Sequence, residues 1–198
     1  MPKTLSEGER AYIAERLKTE AKACLATYGI RKTTIDELVK RVGIPKGTFY
    51  LFYESKERLL FDVILEFNDE IQSQLLREIA KLHTSPNVDT LSDIIVRLYR
   101  KLDESFIPRV MQNGELEYFM RSLPPELSQM HAAHDQSAVE QLLCMLPGMQ
   151  TKRAEVFSAA LRSIFLSILY KDEIGPDIFD DTLRVLIRGV VIQLLEHE

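Results

Sequence analysis

Residues 33–57 read TTIDELVKRVGIPKGTFYLFYESKE, two short helices joined by a tight glycine turn and followed at once by the start of a third. Ile35, Leu38, Val39 and Val42 recur at helical spacing, so one face of the first helix is apolar. Thr34 with Glu37 three positions on has the spacing of a capping box and marks where that helix begins. Gly43 supplies a left-handed backbone that turns the chain, a conformation in which a Cβ would clash. Pro45 has no N–H to leave unpaired and can open the next helix, about Lys46 to Phe52. That helix is small at Gly47 and Thr48 and carries aromatics behind. Together these pieces predict a helix-turn-helix, whose second helix fits a DNA major groove.

Outward from this stretch the chain is helical throughout, with no period-two alternation between turn signals. A first helix spans about Glu7 to Tyr28. Ser55 caps a fourth, about Lys56 to Leu82, with Leu60, Val63, Ile64, Phe67, Ile71 and Leu75 as its apolar stripe. Helices follow over about Thr90 to Pro108, Glu115 to Leu123, Pro125 to Pro147, Thr151 to Tyr170 and Asp177 to Leu195. The expected fold is all-α, about nine helices. Residues 1–54 form a three-helix DNA-binding domain, and residues 55–198 a helical regulatory domain for ligand binding and dimerisation.

The last two helices are apolar on more than one face, which requires cover on more than one side. A second copy of the chain would supply that cover in a two-fold, four-helix interface. Its expected residues are Phe157, Leu161, Ile164, Ile168, Leu183, Ile187, Val190, Val191 and Leu194. The alternative is that both are central core helices of a monomer.

Forty-five per cent of the 198 residues are apolar and 28% charged, as in a soluble globular protein. No apolar run reaches the length of a membrane span, and the N-terminus lacks the apolar core of a secretion signal, which predicts a cytoplasmic protein. Cys24 and Cys144 then read as buried hydrophobes rather than a disulfide. The net charge of −5 argues against DNA until it is divided along the chain. Residues 1–60 carry +4 and residues 61–198 carry −9, so a basic N-terminal part sits on an acidic body.

Gly47-Thr48-Phe49-Tyr50, Phe52-Tyr53, Ser55-Lys56-Glu57 and Leu59-Leu60, with Leu17, Ala21, Cys24, Leu25, Tyr28-Gly29 and Thr33-Thr34 upstream, resemble the TetR family of one-component transcriptional regulators. The match covers about Leu17 to Leu65. The resemblance implies an N-terminal helix-turn-helix, a divergent C-terminal domain dimerising through its last two long helices, and small-molecule binding among the middle helices. It also implies DNA contacts at Thr33, Thr34, Lys46, Gly47, Thr48, Tyr50, Leu51, Phe52 and Lys56. Lysine can donate to guanine, threonine can meet a thymine methyl, and Tyr50 and Lys56 suit phosphate. Two positions depart from the family pattern: Phe52 replaces a polar aromatic, and Leu51 cannot hydrogen-bond a base. Phe49 and Tyr53 are expected to pack beneath the recognition helix.

The expected function is a homodimeric repressor bound to a palindromic double-stranded operator and released by a small, mostly apolar effector. Candidate pocket residues are Phe67, Tyr99, Phe106, Tyr118, Phe119, Met130, His134 and Phe165, since aromatics and methionine suit such a ligand. No catalytic motif, cofactor loop or metal site is expected. Two alternatives stand beside this: an adaptor of the same fold acting through a protein partner without DNA, and a metal-dependent helical enzyme using His131 and His134.

Overall fold

The computed structural model describes residues 5–81, 87–127 and 154–195. Among them every regular element is helical, as expected. They are α1 (Glu7–Lys32), α2 (Ile35–Val42), α3 (Lys46–Phe49), α4 (Lys56–Ala80), α5 (Val88–Asp103), α6 (Ile107–Met111), α7 (Glu115–Ser122), α8 (Ala154–Ser167), α9 (Lys171–Ile174) and α10 (Phe179–Leu195), with a 3-10 turn at Ile168–Tyr170. The chain divides into two compact units, Met1–Phe67 with Ser105–Pro125, and Asn68–Glu104 with Glu126–Glu198. Residues 105–125 join the first unit because α6 and α7 pack against α1.

In the first unit α1 opens on a complete capping box. Ser6 Oγ accepts the Glu9 N–H at 3.2 Å, and Glu9 Oε2 accepts the Ser6 N–H at 2.8 Å. Those hydrogen bonds hold the Glu9 carboxyl below the usual carboxylate range. At Gly29 the backbone leaves the helix (φ 75, ψ −172), one residue past the expected end, and one further turn continues to Lys32. Leu17, Ala21, Cys24 and Leu25 of α1, Leu38 of α2, Phe49 of α3 and Leu59, Leu60, Phe61 and Val63 of α4 are fully buried. Full burial of a leucine or phenylalanine side chain contributes about 1.5–3 kcal/mol, so this apolar cluster outweighs the surface ion pairs around it. Cys24 is a free, buried cysteine whose thiol burial pushes up; Cys144 lies outside the described residues.

The second unit is built on α5, α8 and α10. Asn87 caps α5 by accepting the Thr90 N–H at 2.8 Å. The helix ends at Asp103 rather than at Pro108, which instead lies in the first turn of α6, where a missing N–H costs nothing. Leu91, Ile95 and Tyr99 of α5 share a core with Ile164, Ile168, Phe179, Leu183, Ile187 and Val191. Burial pushes the Tyr99 hydroxyl up, and it donates to the Leu161 carbonyl at 2.5 Å.

This packing corrects part of the expected dimer face. Ile164, Ile168, Leu183, Ile187 and Val191 are committed to the unit's own core. Phe157 is also buried, and Leu161, Val190 and Leu194 are partly so. The uncovered apolar face lies beside them. Val156 and Val185 are 67% and 71% exposed, and with Leu186 they edge a groove of 520 Å³ that also takes in Phe157, Ala160, Gly189, Val190 and Gln193. Two apolar faces were legible in the sequence, but helical periodicity does not say which of them the chain covers itself.

Candidate nucleic-acid interface

Thr34 caps α2, its hydroxyl accepting the Glu37 N–H at 3.2 Å. The capping box expected here is only half made. The Glu37 carboxylate turns along the helix to Arg41, with Arg41 Nε–Glu37 Oε1 at 2.6 Å. Arg41 also donates to the Tyr28 hydroxyl at 3.0 Å, tying α2 to the end of α1. Gly43 closes α2 in the left-handed region (φ 78, ψ 35) and its N–H bonds the Val39 carbonyl at 2.9 Å. No atom lies within 4 Å of where its Cβ would be. The clash expected of a side chain at Gly43 is thus with its own backbone, not with a neighbour.

Pro45 stands at the N-cap of α3 rather than inside it, and its carbonyl accepts the Thr48 N–H. The helix is shorter than expected, Lys46–Phe49, and Leu51, Phe52 and Tyr53 continue it as turns bonded to Thr48 and Phe49. Phe49 is fully buried and Tyr53 is nearly so, their rings 6.1 Å apart, as the packing expectation required. Burial, reinforced by the Asp62 and Glu66 carboxylates, pushes the Tyr53 hydroxyl up to about 12. This buried base leaves one side of the turn facing outward, with Lys46, Gly47, Tyr50 and Leu51 exposed and Thr48 half-buried.

The remaining expected positions divide. Thr34 is exposed beside its capping role. Thr33 is a correction: its side chain is fully buried and its hydroxyl donates to the Gly29 carbonyl at 2.6 Å, so that hydroxyl is engaged within the fold rather than offered to a phosphate. Lys56 is only 14% exposed and donates to the Ile30 carbonyl at 3.1 Å, with Glu57 Oε1 at 3.6 Å. Phe52 is half-buried beneath the Arg10 guanidinium, 5.2 Å from its ring centre. Lys46 pairs with Asp36 at 2.9 Å, and that hydrogen bond holds its ammonium above the usual lysine range.

An open groove of 370 Å³ runs between the starts of α2 and α4. Thr34, Tyr50, Ser55, Lys56 and Arg31 line it, along with Glu54 and Glu57. Arg31 was missed by sequence reasoning; its only signal was a basic residue two positions before the threonine pair. Asp36 was missed because a partner across the turn leaves no local pattern.

The expected ligand residues divide between the two units. Phe67 and Phe106 pack with tilted rings 5.1 Å apart in the first unit, where Phe119 is fully buried. Tyr118 there is 42% exposed under Arg31. Tyr99 and Phe165 belong to the core of the second unit. Met130, His131 and His134 lie outside the described residues. Among the described residues no acidic, histidine or cysteine cluster could hold a metal ion, and no helix is long and apolar enough to cross a membrane.

A buried apolar base, a left-handed glycine turn and a short outward-facing helix start define a helix-turn-helix protein of the all-α class. Residues 19–63 match the family described as bacterial regulatory proteins, tetR family. YuxN, an uncharacterized HTH-type transcriptional regulator of Bacillus subtilis strain 168, is 28% identical over 159 residues, 79% of this chain and 50% of its own length. The chain spans about half the length of the curated relatives it matches. SCO4454, a TetR-family transcriptional regulator from Streptomyces coelicolor, superposes with a TM-score of 0.67 at 17% identity, covering 93% of this chain and 96% of its own. FadR from Bacillus subtilis in complex with stearoyl-CoA superposes at 0.64 and 15% identity, covering 93% and 98%. At these identities the likeness is one of fold.

Proposed function

We propose that this protein is a cytoplasmic, DNA-binding transcriptional repressor that acts as a homodimer on a palindromic operator. The observation that carries this is the outward-facing run of exposed Lys46, Gly47 and Tyr50 with half-buried Thr48 over the buried Phe49 and Tyr53 base, within the family-matched segment 19–63. Residues 1–54 supply DNA contact, from Lys46, Thr48, Tyr50, Thr34 and Arg31, and residues 55–198 supply regulation. The uncovered groove on α8 and α10 supports a two-fold partner. In such a dimer the two recognition helices enter successive major grooves about 34–36 Å apart.

The effector is a small, mostly apolar molecule. FadR, a protein of the same fold, holds stearoyl-CoA, so the fold accommodates a long apolar chain. Purified protein should select sequences from random duplex DNA that share a palindrome, and failure to recover one would overturn the operator reading. An effector should bind more weakly when operator is present, by the same factor with which it weakens operator binding. Equal affinities with and without operator would exclude that molecule as an inducer.

A further inference from the structure

The end of α1 is gripped by α6 and α7, elements some eighty residues away in sequence. Glu115, the first residue of α7, is buried, only 7% exposed. Its Oε2 accepts the Arg31 N–H at 2.9 Å, and its carboxylate lies 3.2 Å from where a Cβ on Gly29 would stand. The Arg31 guanidinium donates to the Gly114 carbonyl at 3.3 Å and lies 4.8 Å from the Tyr118 ring centre. From α6, Arg109 donates to the Tyr28 carbonyl at 3.4 Å. A break in a helix leaves N–H and carbonyl groups without helical partners, and here side chains from α6 and α7 meet them. A buried carboxylate is tolerated only where its oxygens accept hydrogen bonds, and this one accepts from the backbone just before Thr33 and Thr34. Thr34 in turn caps α2, and α2 carries α3 through the Gly43 turn.

We infer that Glu115 is a positioning residue for the helix-turn-helix: it clamps the Gly29 junction and sets the angle at which α2 and α3 leave α1. The effect on DNA rests on the function proposed above; the clamp itself does not. Gly29 is the matching half, since any Cβ there would press on the carboxylate.

The test uses the full chain with Glu115→Ala, Glu115→Asp and Glu115→Gln, read by amide hydrogen exchange and by DNA titration. In the Ala and Asp variants the Arg31 amide loses its acceptor, and its exchange should accelerate about ten-fold while amides in the α5–α10 core are unchanged. Affinity for the selected operator should fall about ten-fold, and affinity for an unrelated duplex less than about two-fold, because phosphate contacts carry no sequence information. Glutamine keeps an oxygen that can accept, so it should restore both readouts to within about three-fold. The Asp variant keeps the charge and shortens the reach, and it decides the matter should Ala not fold. Unchanged Arg31 exchange in the disrupted variants overturns the clamp. Parallel loss on operator and unrelated DNA overturns the positioning role. If the wild-type protein shows no sequence preference, the proposed function fails, and the exchange of Arg31 and of the α2 amides still decides the clamp.

Discussion

Lys46 Nζ stands 2.9 Å from Asp36 Oδ1, across the Gly43 turn, with both side chains more than half exposed. The first cation of α3 therefore carries its own counter-anion from α2. An exposed pair of this kind contributes little to folding, typically below about 1 kcal/mol. In the proposed DNA complex its weight falls on binding, because a guanine or phosphate would have to displace Asp36, and a carboxylate there also repels the DNA backbone.

Asp36→Asn should therefore strengthen DNA binding about three-fold on all duplexes at low salt, with a smaller gain at high salt where the repulsion is screened. Fluorescence anisotropy at several salt concentrations measures this. Weaker binding would show instead that Asp36 orients Lys46 for its contact. Lys46 and Thr48 substitutions should change preference among operator variants.

Tyr50→Phe should weaken binding about equally on every sequence, as loss of a phosphate contact does. A change in preference at constant affinity would refute that role. Lys56→Ala should behave differently, since its ammonium donates to the Ile30 carbonyl. The expected effect is a stability loss of about 1–2 kcal/mol in urea unfolding, with the salt slope of binding unchanged. A slope reduced by about one would mean that Lys56 leaves Ile30 for a phosphate.

Gly29 and Gly43, two of the four described glycines with positive φ, should differ in cost. Gly43→Ala meets no neighbour and bears only the left-handed backbone penalty, about 1–2 kcal/mol. Gly29 has ψ −172 at φ 75, a region essentially confined to glycine, and its Cβ would also crowd Glu115. Gly29→Ala should thus lower the urea midpoint more than Gly43→Ala. The reverse order would contradict the tight approach of Glu115.

On the α8–α10 face, Val185→Asp and Leu186→Glu should give monomers by light scattering while leaving helicity intact, because both side chains are exposed. Ile187→Ala, one position on and fully buried, should instead cost about 2–5 kcal/mol of stability. Dimers persisting in both charged variants would place the interface elsewhere.

Tyr53 gives the fold an alkaline limit. Its hydroxyl is pushed from 10.0 up to about 12, chiefly by burial. A raised folded value means that the contribution is fully present below pH 10 and is lost as pH rises through 12. Unfolding free energy should fall over that window less steeply in Tyr53→Phe than in the wild type. Identical slopes would mean that the ring is open to water.

What the sequence determined by itself was local. The Thr34 cap, the Gly43 turn and the apolar spacing of α2 and α4 depend on residues a few positions apart, so one-dimensional pattern carries them. The buried Phe49 and Tyr53 base was legible for the same reason, since a short helix with aromatics behind has one way to face. The tertiary structure decided everything that depends on distant partners. It sent the Thr33 hydroxyl inward to Gly29, gave Lys46 to Asp36, and turned Glu37 from its cap to Arg41. It brought α6 and α7 to the end of α1, with Glu115 on Arg31. It also chose which apolar face of α10 is core, through Leu183, Ile187 and Val191, and which stays bare, through Val185, Leu186 and Gly189. Periodicity shows that a helix has two apolar faces; only the packing of other elements covers one and leaves the other.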